Sequence, residues 1–290
     1  MDRVIESTAR CPGTCGELVE GVFEGSDFLI TCPVDMWSEV TVKEGFNGDS
    51  KARELFPKTW RAADLAFAKL GAEKEKFKIC RKSDIPVGKG MGSSTADISA
   101  VVKAVARSLG KEISEDFIAN IALDIEPSDA TMYPGIYMFD HKEGTLKEYL
   151  GEPLPIDIVV LDPGGEVDTM KFNSQKNLGE LNAKKEPLIK QARELVVRGF
   201  KEGDPEKVGR GATISSKANQ EILPKPQLDN VIILAEKVKS LGVNVAHSGT
   251  VLGVLLSPYI SDKEEVAEFF KYKFKDYHIS TTKLVGGGVK

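Results

Sequence analysis

The chain reads as an α+β protein in two parts, and three observations predict this. Residues 3–43 hold four short β-like runs, Val4–Arg10, Glu17–Phe23, Phe28–Cys32 and Ser38–Val42, separated by Gly, Pro, Ser and Asp. Gly151-Glu152-Pro153-Leu154-Pro155 interrupts any regular element near the middle of the chain, which sets residues 1–152 apart from residues 153–290. Beyond it the pattern restarts as strand, helices, two strands, helix, strand, the order of a ferredoxin-like domain.

Composition narrows the function before any motif is read. The 290 residues suffice for one large or two ordinary domains, and the net charge of −5 makes no electrostatic case for nucleic acid. Apolar runs span a few residues, far short of the roughly 20 that cross a bilayer. Residues 1–10 carry charges throughout and lack an apolar core, so no secretory signal is visible and the cytoplasm is the expected location. Cys11, Cys15, Cys32 and Cys80 lack the paired spacing of a zinc site and are expected as free thiols. With three histidines, His141, His247 and His278, and no Ser-His-Asp or Cys-His pattern, a histidine-based hydrolase is poorly supported.

In chain order, Pro12-Gly13-Thr14-Cys15-Gly16 between the first two β runs predicts a tight, exposed turn. Residues 51–70 predict a helix and 77–81 a short strand. A helix follows over 93–109, with Ile98, Val101, Val102, Val105 and Leu109 on one face and Ser93, Ser94 or Thr95 as its cap. Ser114 caps a second helix over 116–123, and strands at 136–139 and 146–150 close the first part. The second part predicts a strand at 156–161 and helices at 174–200, 205–222 and 228–241. Asp204 caps the second of these helices, with Pro205 in its first turn. Strands at 243–247 and 251–257, a helix at 262–273 and a strand at 277–284 complete it, and Gly286-Gly287-Gly288 reads as a loose tail.

The chemistry concentrates at Pro86-Val87-Gly88-Lys89-Gly90-Met91-Gly92-Ser93-Ser94-Thr95, which leads from a strand into a helix. A helix start carries unpaired N–H groups and roughly half a positive charge, and glycines let a phosphate approach the backbone. Lys89 adds a positive charge to the loop, and a serine hydroxyl beside the phosphates can ligate Mg²⁺. The string is neither a Walker A loop nor Gly-x-Gly-x-x-Gly. Downstream, Asp124-Ile125-Glu126-Pro127-Ser128-Asp129 groups carboxylates around a proline turn, residues that can be solvated turn side chains or can ligate Mg²⁺ and accept a proton. His247-Ser248-Gly249 joins two strands of the second part, with His247 read as a neighbour of that turn.

Pro86, Gly90, Met91, Gly92, Ser93 and Ser94 together resemble the second motif of the GHMP kinases, named for galacto-, homoserine, mevalonate and phosphomevalonate kinases. Pro12, Gly13, Gly16 and Glu17 resemble the first motif, and Ser248-Gly249 with Gly253 part of the third. Cys11-Pro12-Gly13-Thr14-Cys15-Gly16-Glu17-Leu18, followed by Cys32-Pro33-Val34-Asp35, is similar to the L-threonine kinase branch of cobalamin synthesis. Gly209-Arg210 and Leu223-Pro224-Lys225-Pro226 add to that similarity.

The resemblance implies a two-domain GHMP kinase fold, with an N-terminal ribosomal-protein-like α/β domain and a C-terminal ferredoxin-like domain. It implies ATP and Mg²⁺ as cofactors, with the ATP phosphates on Pro86 and Gly88 to Thr95. It implies an amino acid with a hydroxyl side chain as the small-molecule partner, held by Gly13, Thr14, Cys15, Gly16, Glu17, Asp35, Ser248 and Gly249. Arg210 would pair with the acceptor's carboxylate. By the same resemblance Asp129 is the general base, and Glu126 shares Mg²⁺ with Ser94. The division of roles among Asp124, Glu126 and Asp129 stays open at this stage, as does threonine against homoserine. A homodimer is compatible with the sequence but not read from it. A nucleotide sensor on the same fold, without phosphotransfer, is the alternative, though it should lack the acidic turn or the second serine.

Overall fold

The computed structural model describes residues 6–45, 50–73, 77–165 and 178–290. The four short runs expected at the start are two long strands, β1 (Glu6–Phe23) and β2 (Ser26–Glu44). Residues 4 and 5 lie outside the described residues. Glu24 and Gly25, at φ 52° and 83°, form the two-residue hairpin between them.

The turn expected at Pro12–Gly16 is instead a buried, irregular stretch inside β1. Its pairing with β2 slips between Pro12 and Thr14, between Thr14 and Glu17, and between Glu17 and Val19. Such bulges bend a strand and re-aim its side chains. The glycines there serve close approach: a Cβ on Gly13 would lie 2.8 Å from the carbonyl of Met91.

The remaining elements follow the predicted order. Helices α1 (Ser50–Leu55) and α2 (Pro57–Lys69) divide at Pro57, which starts the second helix. Strand β3 (Phe77–Ser83) leads to α3 (Ser93–Ser108), and α4 (Glu115–Leu123) is capped by Ser114, whose side chain accepts from Phe117 N. Strands β4 (Ile136–Phe139), β5 (Lys147–Gly151) and β6 (Asp157–Asp162) come next. Then follow α5 (Leu178–Glu202), α6 (Pro205–Ala218) and α7 (Leu228–Lys237). Strands β7 (Gly242–Val245) and β8 (Leu252–Leu256), α8 (Lys263–Lys273) and β9 (His278–Lys283) end the order. Residues 174–177 of the helix expected at 174–200 lie outside the described residues.

The described strands form one antiparallel sheet in the order β5-β4-β2-β1-β7-β8-β6-β9, with β3 paired to β2. Its β7-β8-β6-β9 portion has the strand order of a ferredoxin-like unit. A single residue pair, Glu17 with Val245, joins β1 to β7.

Alternation along β6 serves two cores, since successive strand residues face opposite sides. Ile158 and Val160 enter the larger core with α3, β1 and β2, while Val159 and Leu161 enter a second core under α7 and α8. Helix α3 is buried on more than its predicted face, with Ala96, Ala100 and Ala104 fully buried beside Ile98, Val101 and Val105. The glycine tail is not loose: Val285 N donates to Pro33 O (3.0 Å), Gly287 N to Gly135 O (2.9 Å) and Gly288 N to Thr131 O (2.8 Å).

Helix α6 crosses the start of β7 in backbone contact. A Cβ on Gly209 would lie 2.2 Å from Leu241 O, and one on Gly242 would lie 2.0 Å from Gly209 O. Gly209→Ala is expected to lower stability by about 1–3 kcal/mol through overpacking, measured by denaturant unfolding.

Candidate active site

The phosphate loop, the acidic turn, β1 and the loop after β7 surround one cleft of about 600 Å³. Gly88, Gly90 and Gly92–Thr95 line it from the first, and Glu126–Asp129 from the second. Glu17, Glu20 and Ser248 complete the β1 and β7 side.

Gly92 sits at the head of α3 with φ 64°, in the left-handed region that favours glycine. None of the three hydroxyl residues caps the helix, contrary to expectation, because Gly92 holds the N-cap position and Ser93, Ser94 and Thr95 already lie within the first turn. Ser94 Oγ donates to Glu126 Oε1, and Thr95 Oγ1 accepts from Asp129 N (3.3 Å). The first-turn amides are therefore left without a side-chain cap, as an anion site requires.

The loop is held from behind. Thr14 N donates to Met91 O (2.8 Å), Gly16 N to Gly90 O (3.2 Å) and Thr250 N to Lys89 O (3.0 Å). Gly90, at φ 76°, lies against Gly249, where a Cβ would meet the Gly249 Cα at 2.7 Å. Gly13, Gly16 and Gly249 thus support the loop through the backbone.

Several expected contacts fall elsewhere. Pro86 stands outside the lining of the cleft, whereas Met91 lines it with a side chain otherwise packed into the core. The Lys89 ammonium turns to Asp162 (3.3 Å) and to Gly165 O (2.7 Å) instead of adding charge to the loop. Asp35 is exposed and accepts from Trp37 Nε1 (2.8 Å), away from the cleft. Arg210 is exposed on α6 and does not line the cleft, so it is not placed to hold a carboxylate there. Asp124 points to Lys69 (3.3 Å), outside the cleft, which leaves Glu126 and Asp129 as the carboxylates of the acidic turn that face it.

Asp129 is half-buried at the cleft wall, and loss of water contact, then the charges of Glu17, Glu20 and Glu126, push its carboxyl well above the usual range. Glu17 accepts from His247 N (2.8 Å) and lies 3.1 Å from His247 Nδ1. Burial raises Glu17 to about 7 and depresses His247 to about 4, so the imidazole is neutral. Its Nε2 lies 3.2 Å from Ser215 Oγ. Burial also pushes the Cys11 and Cys15 thiols up to about 12 and raises Cys32, and all four cysteines are free.

Leu29, His141 and Lys142 line the cleft although no motif places them there, and two charged residues, Lys58 and Glu20, also had no sequence signal. Lys58, in the first turn of α2, pairs with Glu126 but belongs to no motif. Glu20 should face away from Glu17 in a regular strand, three residues on. The slip between Glu17 and Val19 turns both toward His247.

Open amides at a helix start, hard oxygen donors and a carboxylate shielded from water suit phosphoryl transfer, so fold and cleft together describe a small-molecule kinase. The family model described as GHMP kinases N terminal domain matches residues 58–135. The L-threonine kinase of Salmonella typhimurium (strain LT2) is 34% identical over 293 residues, covering 98% of this chain and 95% of that protein. The L-threonine kinase of Citrobacter freundii is 32% identical over 290 residues, covering 98% and 99%. Among solved structures, homoserine kinase from Cytophaga hutchinsonii shares the fold with a TM-score of 0.75 at 18% identity, covering 98% of this chain and 96% of that one. The chain belongs to the GHMP kinases, in the family of the L-threonine kinases. Among the described residues no helix is long and apolar enough to cross a membrane.

Proposed function

We propose that this kinase transfers the γ-phosphoryl group of ATP to the side-chain hydroxyl of L-threonine, giving O-phospho-L-threonine. The observation that carries the reading is the meeting of Ser94, Glu126 and Asp129 in one cleft beside the uncapped start of α3. The full-length similarity to two L-threonine kinases supports the choice of acceptor. The branch resemblance extends the reading to the aminopropanol linker of cobalamin. The free cysteines suit the cytoplasm, the compartment proposed.

The residues divide the work as follows. The amides of the loop and of the first turn of α3 receive the phosphates. Ser94 and Glu126 would hold Mg²⁺, and their oxygens, already in contact, fit a hard cation. When bound, that ion neutralises charge on the β- and γ-phosphates. Lys58 adds a positive charge at the same carboxylate. Asp129, on a turn anchored by its backbone N–H to Thr95 Oγ1, accepts the proton of the attacking hydroxyl. Catalysis is then mainly positioning and charge stabilisation.

The test is production of ADP and of a phosphorylated product over threonine, serine, homoserine, mevalonate and galactose. Threonine is expected to give the highest kcat/KM. A higher value for homoserine would move the acceptor assignment, and ATP turnover with none of them would remove it.

A further inference from the structure

Lys225 is buried, with 7% of its surface exposed, and it does not line the cleft. A lysine ammonium is costly to take out of water. Burial depresses this one to about 8, against the pull of Glu17 and Glu20. The backbone around it is held on all sides. Lys225 N donates to Gln220 Oε1 (2.7 Å), and Gln220 Nε2 donates to Lys225 O (3.0 Å). Pro224 and Pro226 flank it, and the second of these keeps Lys225 extended. The side chain thus leaves from a mount with little freedom, which lowers the entropy lost in fixing its far end.

That far end reaches the phosphate loop at one remove. Lys225 Nζ donates to Gly249 O, a charge-assisted bond and so roughly twice as strong as a neutral one. Gly249 lies under the loop: a Cβ there would run into Lys89 O and the Gly90 Cα. On the same turn, Thr250 N and Val251 N both donate to Lys89 O (3.0 and 3.3 Å). With no space between turn and loop, a shift at Gly249 carries Lys89 and Gly90 with it.

We propose that Lys225 is a positioning residue for the nucleotide: from its clamped mount it pins the Gly249 carbonyl, and through that turn it sets the phosphate loop at Lys89 and Gly90 for the triphosphate. The proposal rests on the kinase reading above. Its pH dependence has a definite sign. Below about 8 the ammonium grips the carbonyl with its charge, and above that only a neutral amine remains, so ATP affinity falls as pH rises. Glu17 and Glu20 on β1 and the neutral His247 after β7 face the same ammonium, Gln220 beside it does not titrate, and Lys89 on the loop is paired with Asp162. All of these remain when Lys225 is replaced, so the difference between the pH curves belongs to Lys225.

The experiment is calorimetric titration with ATP at fixed excess Mg²⁺ and without acceptor, at pH 7 and pH 9.5, on the native protein, Lys225→Met and Lys225→Arg. Steady-state KM values for ATP and threonine are measured beside it. Lys225→Met is expected to weaken ATP binding by about 5- to 100-fold at pH 7, the usual range for coupling between two sites. The native protein should lose about fivefold between pH 7 and pH 9.5, the step from a charged to a neutral hydrogen bond. The methionine variant should stay flat, and the arginine variant, which keeps its charge, should lose less than the native protein. A lysine that only stabilised the fold would leave these slopes alike. A folded Lys225→Met that binds ATP within about twofold of the native protein overturns the proposal and leaves the kinase reading standing. So does a defect confined to the KM for threonine, which would assign Lys225 to the acceptor. Should the methionine variant fail to fold, the arginine variant decides, since a loss at pH 9.5 as steep as the native one overturns the proposal. Native protein that binds no ATP overturns both.

Discussion

Asp129→Asn lowers kcat by about 10²–10⁴-fold and leaves ATP affinity within about twofold, the separation expected of a group that touches only the transferred proton. The amide keeps the size of the side chain, and the backbone N–H bond to Thr95 is untouched, so the turn should stay in place. The check is steady-state kinetics beside a calorimetric titration with ATP. Turnover equal to wild type would remove Asp129 from the mechanism.

Stability should move in the opposite direction. Loss of water contact and the nearby charges hold the Asp129 carboxyl well above its ordinary 3.8. Between those two values the native state keeps a proton that the unfolded chain has lost, so this group's contribution to stability falls as pH rises. The asparagine removes that slope. The variant should therefore unfold at higher denaturant than wild type near neutral pH, with the difference closing below pH 4.

Glu126→Gln should raise the Mg²⁺ concentration for half-maximal activity by about 10- to 100-fold, a loss at least as large as that from disturbing a partner behind a metal ligand. Glu126 accepts from both Ser94 and Lys58, so the change removes the charge at the point where serine and lysine converge. Titration of the protein with Mn²⁺, read without turnover, separates lost metal affinity from a lost rate. Ser94→Ala should shift the Mg²⁺ requirement less, because a water can replace a neutral hydroxyl more easily than it replaces a carboxylate. A Mn²⁺ affinity unchanged in Glu126→Gln would send the metal role elsewhere in the cleft.

Local patterns carried most of the fold. The helix after the glycine loop, the Ser114 and Asp204 caps and the strand order of the second part all follow from spacing and from residues whose preferences act within one turn. Long-range pairing explains the misses. Pro12–Gly16 reads as a turn because proline and glycine break regular structure locally, yet the backbone of the phosphate loop lies against it and keeps it inside a strand. The glycine tail reads as loose for the same reason. Within the cleft, Ser94, Glu126 and Asp129 sit on short motifs and were legible. Lys58 comes from a helix with no motif, and Glu20 faces the cleft only because of a slip that no alternation rule shows. Arg210 looked suited to a carboxylate by chemistry alone, but residue type does not say which side of α6 it occupies.

The cysteines of the first motif have a practical consequence. Cys11, Cys15 and Cys32 are sealed in the interior with their thiolates suppressed, whereas Cys80 is half-buried on β3. A maleimide dye at modest excess should therefore attach at one position in the native protein and at four after denaturation. The unaltered chain thus carries its own single handle for fluorescence, set on a strand whose residues take no part in lining the cleft.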